Sequence, residues 1–135
     1  MITKKQLIKE LRKNVQEMHA IEIEDATEQE LSFSLGTTFK GLYNKNWRKT
    51  WNNYLVEEQK QVYYFSIEFL PGKLLKSNLL NLGILEVVRE SLAEFSVDLE
   101  DLAAVEKDMA LGNGGLGRLA SCFMDAIASS GLTGN

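Results

Sequence analysis

The residues best suited to chemistry are Leu111-Gly112-Asn113-Gly114-Gly115-Leu116-Gly117-Arg118, which run at once into the helical pattern Leu119-Ala120-Ser121-Cys122-Phe123-Met124-Asp125-Ala126-Ile127-Ala128. Glycines at 112, 114, 115 and 117 free the backbone to take φ > 0 and let another group approach closely, because no Cβ stands in the way. A helix beginning just after them aims its unpaired N–H groups and its positive dipole end back into the turn. The expected product is an anion site, most naturally for phosphate. Two other readings account for the same glycines. They fit G-x-G-x-x-G at Gly112, Gly114 and Gly117, but a dinucleotide fold needs a strand just before and an acid about twenty positions later. Asp108-Met109-Ala110-Leu111 is short and mixed for a strand, and the sequence given stops at Asn135. A turn that merely lets a helix pack tightly explains the pattern equally well.

A second candidate, Glu68, belongs to Val62-Tyr63-Tyr64-Phe65-Ser66-Ile67-Glu68-Phe69-Leu70, dense in β-branched and aromatic residues. This run predicts the one strong strand, over 62–69, apolar on both faces and therefore central in a covered sheet, with Pro71-Gly72 ending it. Glu68 would stand at its carboxyl end, where open α/β sheets place ligands; a solvated strand end is the alternative. No second run matches it, so the strand pairs either with another copy or with strands beyond Asn135.

The remaining elements are helical. Thr3 with Gln6 forms a capping-box signal before Leu7, Leu11, Val15 and Met18, predicting a helix over 3–18. His19, at its end, reads as a cation near a helix C-terminus or a plain surface residue. Thr27 with Glu30 repeats the signal before Leu31, Leu35, Phe39, Leu42, Trp47, Trp51 and Leu55, giving one helix over 27–57 or two joined near Asn44-Lys45-Asn46. The aromatics of Trp47 to Tyr54 fall on the helix period, so a core stripe with a solvated back is favoured over a nucleotide surface. Helices follow over 73–95, interrupted at Gly83, and over 98–106 with Asp98 as cap. After the glycine loop at 111–117, a helix over 118–130 has Leu119, Cys122, Phe123, Ala126 and Ile127 on one face and is apolar nearly all round. It reads as buried, with Cys122 as core filling.

Composition narrows the function classes. The 135 residues are 44% hydrophobic, enough to bury a core, and carry 15 Lys plus Arg against 19 Asp plus Glu, a net charge of −4 without a basic block. Nucleic acid is not an expected partner. No apolar run reaches the roughly 18 residues of a membrane span and no signal-peptide pattern opens the chain, so a soluble cytoplasmic protein is the default expectation. One His and one Cys argue against a Cys/His metal site or nucleophile pair; no metal is expected.

Taken together, Val62 to Leu70, Asn78 to Leu82 and above all Leu111 to Phe123 resemble the N-terminal part of the glycogen, starch and maltodextrin phosphorylases. The resemblance is strong from about Val62 to Gly131 and thin before Trp47. It implies an α/β fold: residues 1–135 as an incomplete N-terminal piece, mostly helical with one strong strand, of a two-domain GT-B (Rossmann-like) enzyme. The activity implied is that of a retaining glycosyltransferase, phosphorolysis of the terminal glucose of an α-1,4-glucan by inorganic phosphate to glucose 1-phosphate. Pyridoxal 5′-phosphate is the implied cofactor, and nothing here matches its attachment lysine or the basic residues that grip both phosphates. Asn113, Gly114, Gly115 and Leu116 match the family's glycine loop, which borders sugar and phosphate, and Glu68 matches a glutamate facing the catalytic cleft. Arg118 also matches, with a structural role expected.

Departures qualify that resemblance. Pro71-Gly72-Lys73 replaces the common Met-Gly-Arg, removing a bidentate guanidinium. Trp51, Asn52 and Asn53 do not match the regulatory nucleotide site of the animal enzymes. The full-length protein would be a homodimer, and the isolated piece, inactive alone, would self-associate through exposed apolar surface. A non-catalytic helical interaction module and a dinucleotide-binding domain are the rival classes.

Overall fold

Thr3 opens the first helix as its spacing predicts. In the computed structural model, which describes residues 2–135, its hydroxyl accepts from Gln6 N–H at 3.3 Å while Gln6 Oε1 takes the Thr3 N–H at 3.0 Å. Helix α1 then spans Lys4–His19 and buries Leu7, Leu11 and Val15, one face of the 3.6-residue period. Thr27 caps α2, Glu28–Val56, a single unbroken helix of 29 residues. Two short helices, α3 (Leu75–Asn81) and α4 (Leu85–Ala93), are parted by Gly83 at φ +67°, a left-handed turn that glycine adopts without steric cost. In α5, Leu99–Val105, Asp98 accepts from Glu100 N–H at 2.9 Å as its N-cap.

The chain forms two compact units. One gathers the chain up to Tyr43 with Lys73–Glu106. Its core comes mainly from helices, with Leu7, Leu11, Leu35, Val88, Leu92 and Leu102 among its members, and α1 is packed on α4. The polar seam of this unit is Asn14 Nδ2 donating to Thr38 Oγ1 at 2.8 Å, and Thr38 Oγ1 in turn to Ser34 O at 2.9 Å. His19 is half-buried rather than a surface residue, its ring edge-on to Phe33 at 6.4 Å.

Thr27 gives the fold a pH dependence. Its N–H donates to Glu30 Oε2 at 2.9 Å and its hydroxyl at 2.7 Å. The backbone bond first, then the hydroxyl bond, hold the Glu30 carboxyl below its ordinary value, and His19 pulls the same way. A carboxyl depressed in the folded state stabilises above its unfolded pKa and loses that contribution as pH falls through the folded one. Thr27→Ala is therefore expected to lower the urea midpoint at neutral pH, with the gap to wild type narrowing as pH drops from about 7 towards 3. A gap constant across that range would rule the bond out as the cause.

The second unit, Asn44–Gly72 with Lys107–Asn135, holds the two strands and the glycine loop. Strand β1 is Phe69–Gly72 and β2 is Met109–Leu111, antiparallel with Phe69 opposite Leu111 and Gly72 opposite Met109. The strand expected over 62–69 is thus displaced towards its end and takes in Pro71, which the sequence suggested would terminate it. A proline has no N–H for the ladder, but the register breaks between Phe69 and Gly72, so none is required there. The partner for β1 comes from Met109–Leu111, the segment judged too short and mixed.

Val62 to Tyr64 instead pairs in parallel with the last residues. Val62 N–H donates to Thr133 O, Asn135 N–H to Val62 O and Tyr64 N–H to Asn135 O, each at 2.8 Å. Nor is the run covered on both faces. Tyr64 turns inward, edge-on to Phe123 at 5.6 Å, whereas Phe65 is 88% and Ile67 90% exposed. Continuous apolarity marks both faces as apolar; the described residues cover only one.

Two further expectations are corrected. Trp47 and Trp51 stack at 6.3 Å on α2 but are exposed, Trp47 by 65%, so the aromatic stripe is a surface and not a core. The last helix, α6, spans Gly115–Ser129, beginning three residues before the predicted 118. Its buried face is Gly117, Ala120 and Ser121, while Leu119, Cys122 and Phe123 are exposed. The small residues face β1 because they let backbone approach backbone; the larger apolar ones do not fit there.

Candidate functional site

Ser66 fixes the backbone that presents Glu68. Its hydroxyl donates to Glu68 O at 2.7 Å and accepts from Glu68 N–H at 3.2 Å, closing a local turn. Glu68 therefore stands just before β1, not at the carboxyl end of a strand over 62–69. The antiparallel pairing of β1 with β2 then carries the chain straight from Leu111 into the glycines.

Those glycines divide by what surrounds them. Only Gly112 needs its freedom in φ, at +77°; Gly114, the N-cap of α6, is extended at φ −90° and ψ 165°. At Gly112, Gly114 and Gly117 space is the constraint. A methyl carbon placed on Gly112 would lie 2.6 Å from Glu68 Cγ, and one on Gly114 2.5 Å from Glu68 Oε2. On Gly117 it would meet Leu70 Cγ at 2.9 Å and Glu68 Cβ at 3.0 Å. Three glycines thus form a groove for the Glu68 side chain, ending with its carboxylate beside the start of α6. Gly115 differs, because a methyl there meets nothing within 4 Å.

The structure brings Glu68, Gly114 and Gly115 together at one helix N-terminus. Gly117 N–H already donates to Gly114 O at 3.1 Å, whereas Gly115 and Leu116, the first two residues of the helix, have N–H groups that no preceding turn can satisfy. Asn113 and Leu116 are exposed on the same stretch. Positive dipole and free donors make this an anion-attracting end, and the Glu68 carboxylate lies beside it. Among the described residues, the hydrogen bonds of Glu68 are those of its backbone with Ser66.

Arg118 points elsewhere. Its Nη1 approaches Leu70 O at 3.4 Å and Pro71 O at 3.3 Å, tying α6 to β1. Lys73 donates from its Nζ to Ala103 O and Ala104 O at the end of α5, at 3.1 and 2.9 Å. Sequence reasoning missed Ser66 and the fit of Gly117 against Leu70. The Ser-x-Glu spacing was a usable signal for the first, since serine commonly turns back on the backbone two residues on; nothing local signalled the second. Among the described residues no group of three or more His, Cys, Asp or Glu could hold a metal ion, and no helix is long and apolar enough to cross a membrane.

Comparison with known proteins bears on the same residues. The carbohydrate phosphorylase family model matches residues 92–135, which include the glycine loop and α6. Glycogen phosphorylase of Chlamydia pneumoniae is 46% identical over 106 residues, 78% of this chain and 13% of that protein. That of Bacillus subtilis is 45% identical over 102 residues, 76% of this chain and 13% of its own length. The human brain form is 39% identical over 107 residues, 79% and 13% respectively. The chain therefore spans about an eighth of the length of these curated relatives. With the glycine loop, its helix and most of the remaining chain all matched, the chain belongs to the carbohydrate phosphorylase family.

Proposed function

We propose that this chain is the N-terminal part of an α-1,4-glucan phosphorylase and forms one wall of its active site. The observation that carries the reading is Glu68 seated in a glycine groove at the start of α6, with Gly115 left open on the same helix end. The Gly114 and Gly115 amides would hold phosphate oxygens, with Asn113 and Leu116 bordering the sugar and Glu68 facing the cleft. The names of the relatives support it. In this reading the complete protein is a cytoplasmic homodimer with two Rossmann-like domains.

Pyridoxal 5′-phosphate, the cofactor the resemblance implies, would act through its phosphate group without being consumed. The residues grouped here do not fit its attachment, since neither the loop nor Ser66 to Phe69 contains a lysine, and we place the attachment lysine outside these residues. The dinucleotide reading loses ground because β2 runs antiparallel to β1 rather than into a βαβ unit. A purely helical interaction module leaves the Glu68 groove without a role.

The test is phosphate-dependent release of glucose 1-phosphate from α-1,4-glucan by the full-length protein containing this chain. Cleavage without phosphate, or none, would overturn the proposal. Residues 1–135 alone should release no glucose 1-phosphate and show no lysine labelled by borohydride reduction with pyridoxal phosphate. They should also elute above monomer mass by size exclusion with light scattering, because Trp47, Phe65 and Ile67 are bare. A well-behaved monomer would contradict that.

A further inference from the structure

Resting on the phosphate reading above, we propose that Glu68 selects a protonated oxyanion: its carboxylate accepts the O–H of bound phosphate and turns sulfate away. The carboxylate stands at the start of α6, with Oε2 at 2.5 Å and Oε1 at 3.0 Å from where a methyl on Gly114 would lie. Its stem is confined by Gly112 and Gly117, and the residue is half-buried. Its backbone is tied to Ser66, and the neighbouring Arg118 is directed to the Leu70 and Pro71 carbonyls. The acid thus reaches the helix end with both oxygens free of protein donors among the described residues.

An ionised carboxylate is a pure acceptor. An anion drawn to the Gly115 N–H must come up beside this half-buried carboxylate, where like charges repel. Phosphate at neutral pH keeps at least one proton and can donate it in a short charge-assisted O–H···O⁻ bond. Arsenate can do the same. Sulfate has no proton to give, so the contact that holds phosphate becomes repulsion, and rejection by a misplaced charge is an effective route to specificity.

The experiment is phosphorolysis by the full-length protein with phosphate or arsenate as co-substrate and sulfate as competitor. In wild type the sulfate inhibition constant should exceed the phosphate KM by about tenfold or more, the worth of one hydrogen bond to a charged group. Glu68→Gln keeps the shape that the glycine groove accepts, and should bring that ratio to within about threefold, with arsenate moving alongside phosphate. Glu68→Ala should shift it the same way without adding a donor, and Glu68→Asp should retain most of the preference. A merely structural role would lower kcat or stability and leave the ratio alone. A wild-type ratio near one, or a ratio unmoved in both Glu68→Gln and Glu68→Ala, overturns the proposal and leaves the phosphate reading standing. Glucan cleavage indifferent to phosphate, or a phosphate KM indifferent to Gly115→Ala, overturns both.

Discussion

Gly115→Ala in the full-length protein is expected to lower kcat/KM for phosphate by about a hundredfold, the usual cost of displacing a reacting group by about an ångström. Its unfolding free energy should stay within about 0.5 kcal/mol of the parent's, as for a surface substitution that touches nothing. The two halves have one cause. A methyl at Gly115 meets no protein atom within 4 Å, and Gly115 is the first residue of α6, in a conformation alanine adopts freely. Nothing in the chain resists the added carbon. In the proposed site that space lies on the approach to the free N–H groups, because a helical Cβ tilts towards the N-terminus, and a phosphate oxygen would have to sit about 3 Å from its donors there. Steady-state kinetics over a phosphate series, beside a denaturant titration, decides the matter. Lost stability with normal phosphate KM would make Gly115 a packing residue and remove the main support of the proposed site.

That separation was not legible in the sequence, where Gly112, Gly114, Gly115 and Gly117 read as one flexible cradle. The helix caps were legible, because Thr3, Thr27 and Asp98 act on N–H groups two or three residues away and need no tertiary information. Of the apolar face read from the period of α1, Leu7, Leu11 and Val15 are buried, while Met18 near its end is 36% exposed. Errors came wherever a contact is made across the chain. Trp47 and Trp51 sit on the helix period, but a period names a face without naming what covers it. The displaced strand has a similar origin. Side-chain type favoured 62–69, whereas the ladder formed where Met109–Leu111 could reach, at Phe69–Gly72. The start of α6 was set too late because two of its first three residues are glycines, poor helix formers by propensity. The packing of Gly117 on Leu70 outweighs that propensity. At the candidate site, the residues were named from the sequence, and only the structure showed that Glu68 is what most of the glycines accommodate.

If that groove is what the glycines are for, Gly112→Ala should be the most damaging substitution in the loop, destabilising the segment by about 2–4 kcal/mol. The left-handed φ of +77° disfavours any side chain, by about 1–2 kcal/mol for alanine. The new methyl would also lie 2.6 Å from Glu68 Cγ and 3.1 Å from its Cβ and Cδ, an overpacking worth about 1–3 kcal/mol. Gly114→Ala makes a useful contrast. Its close contacts are with the carboxylate oxygens, the far end of a flexible side chain, so the acid swings aside at a cost under about 1 kcal/mol. A double-mutant cycle separates strain from clash, because Glu68→Ala removes Cγ and Cδ but leaves the backbone of residue 112 as it was. In that background Gly112→Ala should cost only its conformational part, giving a coupling of about 1–2 kcal/mol between the two positions. Native-state hydrogen exchange of the first-turn amides of α6 in the full-length protein reads the opening free energy locally, without requiring global two-state unfolding. Strictly additive costs would mean that Glu68 does not lie against Gly112 in solution, and the carboxylate would then be free of the groove that delivers it to the helix end.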